Sequence, residues 1–578
     1  MMLSLAKKKI LIVEDFAEFA RSLRAMLHPM GATEATIVYN AHDAIEACKS
    51  TKFDIILSDY NLGSKKDGQQ LLEELQHEQL IKSSCIFIMI TAENTTSMVM
   101  AAVEYVPDNY IAKPFNGNLL QSRLQKAMEK KEALLELNRL MRNKQWPEAL
   151  GLIEDLKQRH PKFKMSCLRA KINALKNLKQ LDAGLKIAQE IISIRSIPWV
   201  LEAIGELYFL KKEYQKSADI FTQLISEFPM SVDGYDWLSK AQHMMGKAKE
   251  AQETLEAAIK RSPKVLQRQK MLGQLAEENN DYDTMSQAYR NAVKYGEYSS
   301  FKSADEYLQL TSAISKQIRK ANSVSQSEDD KENGEQSNKA SETIDLKKAA
   351  EEVSRTLENL NKKFPKSQTH LLRCKIAESS FLDAIGKTEQ ASKLLNEANE
   401  MYENLEQQLS ENDSLSILKS LADMGQSEFA ENVVRNAAEQ YFEDAQFISK
   451  VAKLSNTSEI LQLSDKASKL NSLGIDYFAK KDFSKAASAF SQVYELAPSH
   501  INMALNYIQT LLKLAQSSKD KSKILETANQ VLNSIPAVIF PDPRFERYKE
   551  LKRLTILLLE KQIQQKNPLE DSSKETKE

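Results

Sequence analysis

Four places in the N-terminal part of this chain put a polar group at the end of a short apolar run. They are Glu14 with Asp15, Asp59, Thr91 and Lys113. The segment FDIILSDYNLG, Phe53 to Gly63, is the central one: Ile55, Ile56 and Leu57 read as a buried strand, Asp59 ends it, and Asn61 and Gly63 turn the chain away. Three carboxylates are the donor set for Mg²⁺, a hard cation that prefers oxygen ligands. A hydroxyl and an ammonium are suited to the oxygens of a phosphoryl group carried on Asp59. An Asp after a strand is by itself an ordinary turn former. What gives Asp59 weight is the set of partners at the other strand ends.

Those partners need a sheet to bring them together. KKKILIVEDF predicts a strand from Ile10 to Val13, CIFIMITAEN one from Ile86 to Ile90, and DNYIAKPF one that ends at Lys113 and Pro114. Between them lie stretches with helical spacing. Phe16–Met30 carries Phe16, Phe19, Leu23, Met26 and Leu27 on one side, and a strand follows at Thr36–Tyr39. Helices are then expected over Ala41–Ser50, Asp67–Leu80, Thr95–Tyr105 and Asn118–Lys130. Strand and helix in alternation imply an α/β, doubly wound, parallel five-stranded sheet with helices on both faces. In such sheets, sites form outside the carboxyl ends of the strands.

An acidic pair, an Asp, a Thr and a Lys-Pro, each on a strand end and in this order, resemble the receiver domain of bacterial response regulators. The resemblance covers roughly Lys8 to Lys130. It implies that Asp59 is the phosphoacceptor and that Mg²⁺ is held by Asp15, by one oxygen of Asp59 and by the backbone carbonyl of Asn61, with Glu14 acting through water. It also implies that Thr91 and Lys113 bind the phosphoryl group. Tyr110 would then be an aromatic switch controlling a surface near Met98, Met100 and Val103. Three departures stand out: Glu14 replaces the more usual Asp, no Pro follows the phosphoacceptor, and EYVPDN replaces the common Gly-Ala before Tyr110.

From about Lys131 the strands stop and a 34-residue period takes over. Ser217, Phe221, Leu224 and Pro229 recur as Ala251, Leu255, Ala258 and Pro263, then as Met285, Tyr289 and Ala292. Stepping back gives Ala183 and Ile187, then Ala149, Ile153, Leu156 and Pro161. Leu473 to Pro498 is the clearest copy: Gly474 permits close helix approach, Tyr477 and Phe490 fill the groove, and Pro498 stops the second helix. These positions resemble the tetratricopeptide repeat, a helix–turn–helix unit that buries its apolar face only by stacking. The fold class is thus multidomain. A receiver over 1–130 precedes an all-α superhelical solenoid over 131–318 and 345–564, with a disordered polar insert over 319–344 and a disordered tail over 565–578. Phe545 to Gln564, with Leu551, Leu554 and Leu558 in one stripe, is expected to cap the array.

Composition narrows the function. A chain of 578 residues with 79 Lys+Arg against 80 Asp+Glu has no basic excess for nucleic acid. Cys48, Cys85, Cys167 and Cys374 show no CxxC spacing and fit a reducing compartment. No apolar run approaches the ~18 residues of a membrane span, and MMLSLAKKK has the wrong charge order for a signal peptide. A cytoplasmic protein is expected. No P-loop, HExxH or GxSxG motif appears, so the chain does not read as an enzyme beyond its own phosphoryl transfer.

The expected function is a two-component response regulator phosphorylated by a sensor histidine kinase or phosphotransfer protein. Its repeat array would bind protein partners, with phosphorylation-dependent self-association as a further outcome. The alternative is a constitutive scaffold whose receiver serves only for docking or dimerisation. Glu202, Glu206, Asp236 and Lys240 are placed by the repeat resemblance towards the concave side, giving a groove of mixed charge.

Overall fold

The computed structural model describes residues 4–63, 66–91, 107–297, 299, 301–329, 345–364, 367–405, 409–441, 443–455, 459–498, 500–518, 520–535, 538 and 543–566. They fall into two compact units, Met1–Ala313 and Ile314–Glu578.

The first unit opens with the expected sheet. Strands β1 (Lys9–Val13), β2 (Glu34–Val38), β3 (Ile55–Asp59), β4 (Ile86–Thr91) and β5 (Asn109–Ala112) lie in the order β2-β1-β3-β4-β5, all parallel. Side chains alternate across it. Ile10, Ile12, Ile55, Leu57, Ile88 and Ile90 go to one face with helices α1 (Ala17–Leu27) and, after β5, Gly117–Ala133. Leu11, Val13, Ile56, Phe87 and Met89 go to the other, with α2 (Ala41–Ser50) and α3 (Gly68–His77). Burial of both faces is why β3 and β4 read as continuous apolar runs. Local signals set the helix starts: Asn40 caps α2, Asn116 caps Gly117–Ala133, and Asp67 with Gln70 forms a capping box on α3. The expected helix at 95–105 lies outside the described residues. The Phe16–Met30 helix ends earlier than expected, at Leu27, where Pro29 gives a 3₁₀ turn over His28–Met30.

The rest of the first unit is a series of helical hairpins. Pro198–Leu210 pairs with Tyr214–Glu227, Val232–Met244 with Ala248–Arg261, and Leu266–Glu278 with Tyr282–Gly296. The period seen in sequence is a packing period, except at Ala183, which is exposed, and Ile187, which is partly exposed; there Gly184 and Ala188, one position later, are buried. Phe221, Leu255 and Tyr289 are all buried, as are Ser217, Ala251 and Met285. A Cβ on Gly205 would sit 2.5 Å from the Phe221 ring, and one on Gly273 2.5 Å from the Tyr289 ring. Each glycine is therefore where two helices touch through an aromatic face. The second unit repeats the device, since a Cβ on Gly474 would lie 2.8 Å from Phe490.

The inter-helix turns repeat as well. Left-handed backbone recurs at Lys144, Lys179, Lys212, Gly246 and Asn280 in the first unit, and at Gly386, Gly425 and Lys481 in the second. A lysine held there is strained by its Cβ, by about 1 kcal/mol. Lys212→Gly is therefore expected to raise stability by about 0.5–1 kcal/mol, read as a higher urea midpoint with unchanged slope. A lower midpoint would show that the lysine side chain contributes more than its backbone costs.

In the second unit, Leu551, Leu554 and Leu558 of the terminal helix Phe545–Lys566 pack on the core built by Ile501–Ser517 and Lys521–Ser534, as the stripe predicts. The expectation of irregular chain from residue 319 needs correcting. Asp305–Asp329 is one helix, so residues 319–329 are helical, while 330–344 lie outside the described residues. Polar residues mislead here because Lys, Ala, Gln, Ser and Glu are all compatible with helix and no Gly or Pro intervenes before Gly334. The helix is also anchored: Arg319 donates to the Ser380 carbonyl at 2.8 Å and pairs with Asp383 at 3.0 Å, and Asn322 donates to the Ala384 carbonyl at 3.1 Å.

Candidate functional site

The sheet gathers the residues predicted to do chemistry at its carboxyl edge. Glu14 and Asp15 follow β1, Asp59 ends β3, Thr91 ends β4 and Lys113 follows β5. Carboxylate oxygens of Glu14, Asp15 and Asp59 lie within 4.8 Å of one another. Glu14 is almost fully buried, Asp59 is buried and Asp15 is exposed. Lys113 sits between the two buried acids: its Nζ is 2.9 Å from Glu14 Oε2 and 3.3 Å from Asp59 Oδ2, and lies 4.2 Å from the centre of the Phe19 ring. The Lys113–Pro114 peptide is cis. Asp59 Oδ1 accepts the Tyr60 N–H at 2.9 Å.

Burial pushes the Asp59 carboxyl above its ordinary range; Lys113 and the Tyr60 N–H pull it back, and the Asp15 charge adds to the rise. Glu14 is likewise raised by burial, with Lys113 opposing and Asp59 reinforcing. Crowded carboxylates of this kind favour a cation. The donor set, three carboxylates and no sulfur or imidazole, fits Mg²⁺. Asn61 is exposed two residues after Asp59.

Thr91 is buried beside this edge, and its carbonyl accepts the Lys113 N–H at 2.7 Å, which ties the hydroxyl-bearing strand to the lysine-bearing one. Tyr110 is half-buried against the Leu11–Met89 face of the core, and burial pushes its phenol up. Met98, Met100 and Val103 lie outside the described residues.

The turn between Asp59 and α3 is drawn tight. A Cβ on Gly68 would lie 2.2 Å from the Asp59 carbonyl oxygen, so only glycine lets α3 start there, and the Gly68 N–H bonds the Tyr60 carbonyl at 2.8 Å. Sequence reasoning passed over Gly68; its place nine residues after the acid, beside a capping box, was the available signal.

Sequence reasoning also missed a second feature. Asn138, Arg142, Arg169, Asn173, Lys176 and Trp199, which the sequence scatters over three helices, line one cavity of about 610 Å³ together with Glu202 and Glu206. Arg169 lies 5.7 Å from the Trp199 ring and Lys176 pairs with Glu206. Burial and the neighbouring Asp233 and Glu206 push Glu202 up to about 7. Charge in this cavity is mixed; Glu202 and Glu206 line it, whereas Asp236 is committed to a part-buried two-pronged pair with Arg268, at 2.6 and 2.7 Å. Lys240 lies 4.5 Å over the Trp237 ring.

Comparison with known proteins finds similarity in two stretches of the chain. Residues 10–125 match the response regulator receiver domain family, and residues 200–231 match the tetratricopeptide repeat family. The chemotaxis protein CheY of Pseudomonas aeruginosa is 27% identical over 122 residues, which are 21% of this chain and 97% of that protein. Chemotaxis protein CheY-3 of Vibrio cholerae serotype O1 is 29% identical over 122 residues, 21% of this chain and 92% of that protein. Among solved structures, the receiver domain of Francisella response regulator 1452 is 20% identical and covers 22% of this chain and 99% of its own, with a TM-score of 0.20. MamA from Desulfovibrio magneticus RS-1 is 17% identical and covers 28% of this chain and 93% of its own, with a TM-score of 0.25. The chain therefore carries an N-terminal response regulator receiver domain, similar to CheY, followed by a helical region that contains a tetratricopeptide repeat.

Proposed function

We propose that this protein is a cytoplasmic two-component response regulator, phosphorylated on Asp59 by a histidine kinase or phosphotransfer protein, whose output is protein binding by the repeat array. The observation that carries this reading is the meeting of Glu14, Asp15 and Asp59 around Lys113 at the carboxyl edge of a parallel sheet. Asp59 attacks the incoming phosphorus through one carboxylate oxygen, the donor's bond to phosphorus breaks, and an aspartyl phosphate forms. Lys113, already within 3.3 Å of Asp59, pairs with the phosphoryl charge, and the Thr91 hydroxyl bonds one of its oxygens. Glu14, Asp15, Asp59 and the Asn61 carbonyl are the residues that would hold Mg²⁺, which when bound neutralises charge on the transferring group. Among the described residues no helix is long and apolar enough to cross a membrane.

The test is incubation with acetyl phosphate, with and without chelator, followed by mass spectrometry of the peptide bearing Asp59. A single phosphoryl adduct that needs Mg²⁺ is expected. Thr91→Ala should still accept the group but lose any change in self-association that wild type shows on phosphorylation. If that variant responds like wild type, Thr91 is not the relay.

A further inference from the structure

The repeat array touches the receiver at the helix that begins beside Asp59. Ser299 donates to Glu73 Oε1 at 2.5 Å, and Gln70 Nε2 reaches the Tyr295 carbonyl at 3.4 Å. The His77 and Phe301 rings meet edge to face at 5.3 Å, and Lys264 lies 4.0 Å from Asp67. Asp67, Gln70, Glu73 and His77 all belong to α3 or its cap; Lys264, Tyr295, Ser299 and Phe301 all come from the hairpin Leu266–Glu278/Tyr282–Gly296 and the segments flanking it. Charge is complementary at Lys264 and Asp67.

This seat is joined to the phosphoacceptor by an unbroken series of close contacts. Asp59 takes the Tyr60 N–H, the Tyr60 carbonyl takes the Gly68 N–H, and Gly68 approaches the Asp59 carbonyl so closely that a Cβ there would lie 2.2 Å from its oxygen. Gln70 then serves both sides. Its Oε1 accepts the Asp67 N–H at 3.1 Å to close the cap, while its amide nitrogen reaches the array. The fit is incomplete: Tyr60, Gln69 and Phe301 line a cavity of about 380 Å³, and Gln69 Oε1 is buried without a hydrogen-bond partner. An unpaired buried acceptor makes the docked arrangement easier to leave.

We infer that the array docks on α3 when the Asp59 carboxylate is unmodified, and that a phosphoryl group on Asp59 releases it. The inference rests on Asp59 being the phosphoacceptor. It assigns the exit of the signal to α3, rather than to the Tyr110 face that the family resemblance singles out. A group added to Asp59 draws on Lys113 and on the Asp59–Tyr60 peptide, and the Gly68 N–H bond to the Tyr60 carbonyl passes that displacement to the start of α3. Because the two events share one equilibrium, the coupling is reciprocal: weakening the seat must favour the modified state by the same factor.

Amide hydrogen exchange on the full chain tests this, using Mg²⁺ with beryllofluoride as the phosphoryl probe and fluorine NMR to score its binding. Probe binding to wild type is expected to lower protection both over 68–77 and over 295–303. Glu73→Lys and the milder Phe301→Ala, at a half-exposed ring, should show that lower protection without probe and should bind the probe about 5-fold or more tightly. Bound probe with unchanged or increased protection in wild type overturns the coupling while leaving Asp59 as phosphoacceptor. No bound fluorine signal instead removes the phosphoacceptor assignment, and the coupling falls with it.

Discussion

In Asp59→Asn, transfer from acetyl phosphate is expected to disappear altogether. The carboxamide keeps the shape of the side chain and can still accept the Tyr60 N–H, but its nitrogen is not a nucleophile and its oxygen carries no charge to donate. Glu14 remains only as a buried acid tied to Lys113 at 2.9 Å, held up by burial and engaged by its partner. It is not expected to take over. Lys113 and Thr91 are unchanged in the variant, so a loss reports on the nucleophile and not on phosphoryl binding. The measurement is tandem mass spectrometry after acetyl phosphate treatment, with the folded state checked by circular dichroism. A phosphoryl adduct that persists in Asp59→Asn would sink the assignment, and an adduct on Glu14 would relocate it.

The second large effect belongs to the array. Phe221 is fully buried, stacks parallel to Trp237 at 6.0 Å and closes on Gly205, where even a methyl group would collide with its ring. Phe221→Ala removes the filling of that seam and cannot be repaired by a side chain on Gly205, which has none. Destabilisation of about 3–5 kcal/mol is expected, the range for deleting a buried aromatic. Trp237 is placed to report it, so urea unfolding followed by tryptophan fluorescence is the direct measurement. Leu210→Ala, at a partly exposed position of the same hairpin, should stay within about 0.5 kcal/mol. Equal effects from the two would mean that the seam closes over the cavity and that the glycine contact is incidental.

The receiver was legible because its sheet is buried on both faces. Apolar runs then stand out as strands, and a polar residue at the end of each is conspicuous, which is how Glu14, Asp59, Thr91 and Lys113 could be read together. The repeats were legible because the same three places are buried in successive hairpins, at Ser217, Phe221 and Leu224 and at their successors, although in Leu181–Ile192 the buried places, Gly184 and Ala188, fall one position after the expected Ala183 and Ile187. What could not be read depends on contacts between distant residues. Gln70 and Tyr295 are 225 positions apart, and nothing in either segment announces the other. The same holds for Arg142, Arg169 and Lys176, ordinary solvated cations by sequence that two helices bring to one cavity. Residues 319–329 were misread for a different reason. Low apolar content signals missing burial, but a helix already anchored by Arg319 and Asn322 needs little more than the absence of breakers to continue.

The glycine seams also bear on how such an array can change its sequence. Gly205, Gly273 and Gly474 are followed sixteen residues later by Phe221, Tyr289 and Phe490, whereas Ser239 and Ser379 are followed at the same distance by Leu255 and Leu395. In the serine hairpins the hydroxyl also bonds a carbonyl of the facing helix, at Ala251 and Ala391. The smallest residue goes with the largest and the intermediate with the intermediate, so the volume held between the two helices is roughly conserved while its division is not. The heritable unit at this place is then the pair. A hairpin converting from one division to the other by single steps passes through either a void or a collision, and each such step costs on the order of 1–3 kcal/mol. Neighbouring hairpins that already carry opposite divisions can be exchanged whole without meeting that barrier.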